Sequence, residues 1–465
     1  MRADTGRARR SVAAAVAIAV LVAASVAEAA SWDSAVGTSH PPHVNKSWKP
    51  TGVNEVTCVS AGNCVAVARY SSTDQGNVSA VFTQRSFRWD KGELVRGPDK
   101  AFAESLTLSC PSIGNCTAAG SYAPKGGDAF FASQRKGDWK KGVRAKFPKN
   151  YRSFFGARIY GIACVSRTKC AAIGSYATGR DKFATALFTK KKRGWGPGKE
   201  LKLAAPTGGA TEALSCNTAG DYCVTTVAAG SASRYLLAAK NGRWQRPEPL
   251  PAEVADVSCR SDGNCGGLKP GGFGSGSPAF YTQSGGQWSG PTPVELPEDA
   301  QQGGFESGGF PEFTCFSGGN CIAAGTYATS SGMPKPMVVA QVGGQVQRAI
   351  TTPLPEGAEL GGPLQGAMDC GSPGNCTFVS SYATNDNGTP AKHVLLLDLV
   401  NGQWQQGIEA ALPGDAASPQ AQAHYDFNRG PRLTGIDCVP GGNCTAGGVY
   451  ADQAGNGQAM FVSRR

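Results

Sequence analysis

The sequence predicts an all-β fold: an eight-bladed β-propeller built from four-stranded antiparallel blades, with one disulfide in each blade. Three observations predict it. Sixteen cysteines fall into eight local pairs, a four-part strand pattern recurs with each pair, and the two chain ends complement each other.

The pairs are Cys58–Cys64, Cys110–Cys116, Cys164–Cys170, Cys216–Cys223, Cys259–Cys265, Cys315–Cys321, Cys370–Cys376 and Cys438–Cys444. First cysteines follow one another at intervals of 52, 54, 52, 43, 56, 55 and 68 residues. A fixed period of this size overrides any domain count drawn from the 465-residue length, because each repeat is one supersecondary unit that needs its neighbours to bury its apolar face. With 63 Gly and 29 Pro against 17% charged residues, the composition favours short strands and turns over helices.

Within each repeat an apolar stretch ends at the first cysteine (Leu108-Ser-Cys110, Ile162-Ala-Cys164). A Ser/Gly/Asn turn follows, then alternating small residues ending in tyrosine, as in Cys170-Ala-Ala-Ile-Gly-Ser-Tyr176. Period-two alternation bounded by turn residues is a strand signal. A third strand comes next (Ala129-Phe-Phe-Ala-Ser133, Ala186-Leu-Phe-Thr-Lys190), then a Gly-containing turn and a tryptophan: Trp89, Trp139, Trp195, Trp244, Trp288 and Trp404, with Val346 standing in once. Four short antiparallel strands make a propeller blade. Ala and Gly on the inner strands leave room near the axis, and the tryptophans are expected to pack the outer strands.

The eighth repeat has Cys438, Cys444, Tyr450 and the strand Ala459-Met-Phe-Val462, and the sequence ends at Arg465 without a tryptophan strand. An orphan tryptophan, Trp48, precedes repeat one. An N-terminal strand at Trp48 would complete the last blade and leave no sheet edge open. The alternatives are a seven-bladed ring with the short repeat at Cys259 displaced, or an open solenoid with capped ends.

Ahead of the repeats, Arg7, Arg9 and Arg10 precede the apolar run Val12–Val26 and the small residues Ala27 and Ala29. This is the pattern of a cleaved signal peptide at 1–29. The run is shorter than the roughly 18–20 residues of a membrane span, so no transmembrane anchor is expected. Arg9-Arg10 lacks the bulky apolar residue that follows the pair in a twin-arginine signal. Residues 30–46 read as a flexible linker, Trp32 among them, and 47–465 as the propeller. Export puts the cysteines in an oxidising compartment, where close even pairs read as disulfides. A metal site would want thiolates clustered with histidine, and none of the four histidines lies near a pair. No metal is assigned, nor any cofactor.

The blade pattern, from apolar strand and turn through Ala-x-Gly to a third strand and Gly-x-Trp, resembles the propellers of the bacterial-neuraminidase-repeat and photosystem-assembly-factor superfamily. Its cysteine-paired form resembles repeats in secreted actinobacterial proteins of unassigned role. The resemblance implies a blade, not an activity. The sialidase Asp-box is absent: Ser72-Thr-Asp74-Gln-Gly76 comes nearest, but Ser79 stands where its tryptophan belongs. No sialidase catalytic residue transfers.

In a propeller the hairpins joining strands one to two and three to four share one face, so the cysteine turns should line it. The other face carries the longer loops, where binding residues concentrate. Two of these loops combine aromatics with arginines: 147–161 holds Tyr151, Arg152, Phe154, Phe155, Arg158 and Tyr160, and 410–435 holds His424, Tyr425, Asp426, Phe427, Arg429 and Arg432. A third, 295–313, holds Glu298, Asp299, Phe305, Glu306 and Phe310. Aromatic faces stack on sugars and guanidinium groups fork onto carboxylate or phosphate. Tyr151, Arg152, Arg158, Tyr160, His424, Tyr425, Asp426 and Arg429 are therefore the candidate binding residues. The alternative is that the aromatics anchor their own loops. His424 and Asp426 face no identifiable nucleophile, so no catalytic residue is assigned. Asp74, Asp128, Asp181, Asp386 and Asp452 recur after the tyrosine position as turn formers.

Charge is uneven. Residues 135–202 hold 19 basic and three acidic residues, a net of +16, whereas the whole sequence nets +11. A one-signed sector attracts polyanions. The sequence thus predicts a secreted, extracellular or cell-wall-associated monomer. It would act as a non-catalytic binding module or scaffold for an anionic or carbohydrate polymer of the envelope, or for a protein partner. No specific nucleic acid is expected, for want of a recognised motif. The alternative is an extracellular glycan-cleaving hydrolase or lyase on the same fold.

Overall fold

The computed structural model describes residues 31–38, 41, 44 and 49–465, except 73–75, 99–100, 123–126, 181, 204–206, 212–213, 218–220, 230–232, 272–276, 302–309, 311, 332–333, 360–365, 387–388 and 425–429. The expected signal peptide and Trp48 fall outside the described residues.

Each cysteine repeat is one sheet, and there are eight. Blade 3 shows the plan. Its strands Ala157–Ser166, Lys169–Gly179 and Lys182–Lys191 pair in sequence, and a short fourth strand, Gly194–Trp195, joins the third. The remaining first strands, which form the inner wall, are Lys49–Ser60, Ala103–Ser109, Ser215–Cys216, Asp256–Ser261, Glu312–Ser317, Ala367–Ser372 and Arg432–Cys438. In blade 3 Cys164 pairs with Cys170, Cys170 with Lys190, and Lys190 with Trp195. The repeat at Cys259 is a complete blade with four strands, not a displaced unit.

All sixteen cysteines form the eight near-neighbour disulfides, with Cα–Cα distances of 3.9–4.3 Å. Each closes a strand one–two hairpin, which is worth about 2 kcal/mol in the chain-entropy picture.

Ring closure departs from the expectation at Trp48. The fourth strand of blade 8 is Val36–Thr38, antiparallel to Gly457–Ser463, with Val36 opposite Phe461. Trp32 bridges to Arg464, the position that pairs with tryptophan in other blades, so Trp32 fills the eighth position of the series as its seventh tryptophan. The reason is reach. Trp48 directly precedes Lys49–Ser60, the innermost strand of blade 1. The outer strand of a blade lies three strand spacings away, about 14 Å, and one residue cannot cover that distance. Residues 31–38, inside the stretch expected to be a linker, are therefore part of the ring. Asp33 accepts from Arg465 Nε at 2.7 Å and Trp32 Nε1 donates to Asp398 Oδ2 at 3.2 Å.

The tryptophans pack between blades. Trp89 stacks on Phe461 and Trp195 on Phe131 of the preceding blade, both at 3.8 Å, and Trp244 Nε1 donates to Phe188 O. The glycine of the Ala-x-Gly pattern has a more local cause than crowding between blades. A bulge in the first strand brings Arg158 O to 2.2 Å from where a Cβ on Gly174 would sit, and Ser105 O to 1.8 Å at Gly120. The tyrosines that end the second strands are buried and anchor the loops: Tyr176 donates to Glu200, Tyr327 to Asp299 and Tyr450 to Asp415, at 2.7–2.8 Å.

Candidate functional site

Two features converge on the face formed by the cysteine turns. The first is the central channel. In four places the residue before a first cysteine accepts the next blade's cysteine N–H. Ser109 Oγ accepts from Cys164, Ser258 Oγ from Cys315, Asp369 Oδ2 from Cys438 and Asp437 Oδ2 from Cys58, at 2.6–3.0 Å. The last of these joins blade 8 to blade 1. Two residues further back on the same strand side, Glu55 Oε2 accepts from Leu108 N at 3.1 Å.

This mouth of the channel encloses about 340 Å³, bounded in part by Glu55, Ser109, Ser215, Thr314, Asp369 and Asp437. Glu312 and Asp256 occupy the Glu55 position in blades 6 and 5. Enclosure by the inner strands pushes the Glu55 carboxyl up to about 7, opposed by the Leu108 bond. Burial, then the charge of Asp256, pushes Glu312 to about 7. These acids escaped the sequence reading. Their signal was present, since carboxylates at one and three residues before a cysteine interrupt strands that are otherwise apolar. Among the described residues no group of three or more His, Cys, Asp or Glu converges to hold a metal ion.

The second feature is an arc of cations. In blades 2, 5, 6 and 7 the turn between strands three and four docks on the cysteine turn: Gly137 N donates to Gly114 O, Gly286 N to Gly263 O, Gly344 N to Gly319 O and Gly402 N to Gly374 O. The docked turns need left-handed residues and little else. Blades 5, 6 and 7 meet that need with Gly285-Gly286, Gly343-Gly344 and Asn401-Gly402. Blades 2, 3 and 4 surround the same turn with exposed Arg135 and Lys136, Lys191, Lys192 and Arg193, and Lys240 and Arg243. The fold does not require these charges. Lys240 pairs with Asp262 at 2.5 Å. Between blades 3 and 4 a cleft of about 560 Å³ opens, with Lys169, Lys191, Lys192, Lys240 and Arg243 on its walls.

Lys190 borders the cleft and is buried, with 9% of its surface exposed. Its Nζ donates to Ser133 Oγ at 2.9 Å and Thr117 Oγ1 at 3.2 Å. Burial, reinforced by Arg167, lowers its pKa to about 8.

The residues expected on the opposite face divide. Tyr151 is half-buried against Phe147 and Tyr176, and its hydroxyl donates to Asp128 Oδ1 at 2.6 Å. Burial and that bond push its ionisation well above the ordinary tyrosine range. Arg152 is exposed and precedes the turn Ser153–Phe155, where Phe154 is 80% exposed. Arg158 is exposed on the first strand of blade 3, and Tyr160, on the same strand, shares a 3.0 Å hydrogen bond with Ser175. His424 ends the short helix Pro419–His424. Its side chain, with Tyr425, Asp426 and Arg429, lies outside the described residues, as do Phe305 and Glu306. Exposed cations thus line the cysteine face of blades 2 to 4 as well as the loop face, where Lys146, Lys149, Arg152, Arg180 and Lys182 are exposed.

No protein-family model matches the sequence, and no curated protein matches it. Solved structures match the chain at low identity. A post-proline cleaving enzyme from Rickettsia typhi is 10% identical over 74% of this chain and 49% of its own, with a TM-score of 0.41. The chain therefore spans about half that enzyme's length. A neuraminidase-like protein from A/bat/Guatemala is 11% identical over 94% and 97%, at 0.36, and YCF48 bound to a D1 peptide is 10% identical over 80% and 95%, at 0.35.

Proposed function

We propose that this propeller is a secreted, non-catalytic binding module for an anionic polymer, engaged through the cationic arc of blades 2 to 4. The observation that carries the reading is the contrast between turns. Blades 5 to 7 build the same docked turn from neutral residues, so the cations of blades 2 to 4 serve something other than the fold. Eight disulfides suit an oxidising exterior, and among the described residues no helix is long and apolar enough to cross a membrane. A predominantly cationic surface spanning three blades favours an extended ligand over a small one.

A second reading, a glycan-cleaving hydrolase or lyase, draws on Glu55 and Glu312, whose carboxyls at about 7 fall in the range of a general acid. One experiment separates the two. The purified protein is tested against acidic polysaccharides, wall polymers and anionic lipids at low and physiological salt, with product analysis of each hit. Salt-sensitive binding without product is the expected result. Chain cleavage would replace the binding reading with the enzymatic one.

A further inference from the structure

We propose that the cleft between blades 3 and 4 is the anchoring subsite for a base-free phosphoester polymer, a linear chain of phosphate-linked units without nucleobases. The proposal rests on the polyanion reading above and specifies its ligand.

The cleft is built by three turns. Lys169 comes from the cysteine turn of blade 3, Lys191 and Lys192 from its second turn, and Lys240 and Arg243 from the matching turn of blade 4. Gly242 lets the third turn close down: a Cβ there would stand 3.1 Å from the Lys169 carbonyl carbon. Five exposed cations are thereby held together, and among the described residues no carboxylate lines the cleft. Of the five, Lys240 has Asp262 beside it. Bringing like charges together costs free energy that a multivalent anion relieves.

The kind of cation points to the kind of anion. Four of the five are lysines. The guanidinium fork grips carboxylate and phosphate in fixed bidentate geometry, whereas ammonium groups act as point charges that can approach the tetrahedral phosphates of a chain from several directions. Among the described residues the lining contains no aromatic side chain; its neutral polar members include Thr168, Thr189 and Asn241. Nucleobases and sugar faces are both held by aromatic stacking, so a ligand here is read through its charged backbone alone. Arg167 and the Arg135–Lys136 turn continue the charge beyond the cleft, as a chain longer than one unit requires.

The test is equilibrium binding to linear inorganic polyphosphate, poly(glycerol phosphate), polygalacturonate and single-stranded DNA across a salt series. It uses the wild type, K191E/K192E, and K140E/K141E as a charge-matched control on blade 2. Every substituted side chain is exposed, so unchanged melting behaviour verifies the fold. Both phosphate polymers should bind, with a log–log salt slope of about −3 for four or five neutralised phosphates. K191E/K192E should weaken them at least tenfold, the control less than threefold, and polygalacturonate should bind at least tenfold more weakly. Equal binding of polygalacturonate overturns the phosphoester assignment and leaves the polyanion reading standing. Tighter binding of DNA overturns the base-free assignment. An equal effect of the control overturns the cleft as anchor, and silence on every polyanion overturns both this proposal and the reading beneath it.

Discussion

Lys190 occupies a position that four other blades fill with glutamine: Gln84, Gln134, Gln283 and Gln341. Two of these show what the site offers a neutral donor. Gln84 Nε2 donates to Ser463 Oγ at 3.0 Å and Gln341 Nε2 to Thr282 Oγ1 at 3.1 Å, in each case the hydroxyl one residue before the same position in the preceding blade. Lys190 uses the equivalent hydroxyl, Ser133. Replacing it with glutamine keeps the bond and removes the buried charge. With the pKa lowered from 10.5 to about 8, the charged lysine costs the folded state roughly 3 kcal/mol at pH 7, at about 1.4 kcal/mol per unit. Stability of the wild type should therefore rise as pH climbs from 8 toward 10.5, where the unfolded state binds more protons. We expect K190Q to be more stable than wild type by about 1–3 kcal/mol at pH 7 in urea denaturation, allowing for imperfect replacement of the Thr117 contact. At pH 9.5 the gap should be about 2 kcal/mol smaller. A destabilised K190Q, or a gap independent of pH, would refute the reasoning.

Other consequences follow from the same contacts. Glu55 has the opposite dependence: its raised pKa means stability is fullest below the ordinary value of 4.5 and is lost as pH rises through about 7. E55Q should therefore gain about 2–3 kcal/mol over wild type above pH 7 and nothing near pH 4, as read from paired denaturation curves. G174A places a Cβ 2.2 Å from Arg158 O and should cost about 2–3 kcal/mol or more; a neutral G174A would mean the bulge relaxes freely. Deleting residues 31–38 opens the outer edge of blade 8 and removes the Trp32 and Asp33 contacts, and should cost at least about 3 kcal/mol. Unchanged melting after that deletion would show that the ring does not depend on this strand.

The blade was legible in the sequence because its requirements are local. Cross-strand cysteines six or seven residues apart, period-two alternation and a tryptophan after a Gly turn each report contacts within one hairpin. Closure was legible as a need but not as an address. Trp48 and Trp32 both precede the first repeat, and only the three-strand breadth of a blade decides between them. The acids of the channel were missed because Glu55 and Asp437 read as polar interruptions until the ring sets them against the next blade's backbone. The blade 2 and 3 part of the cationic arc was visible as composition over residues 135–202, whereas Lys240 and Arg243 lie beyond it. The arc's placement on the cysteine face depends on which residues fall in docked turns, and that is a property of pairing register.

The most direct test of the account is a salt titration of wild type and a charge-reversed arc variant, R135E/K192E/R243E, against an immobilised anionic polymer. The account predicts wild-type binding that weakens steeply with salt and at least a hundredfold loss in the variant, with the melting temperature unchanged. Equal retention of both proteins, or binding indifferent to salt, would contradict it.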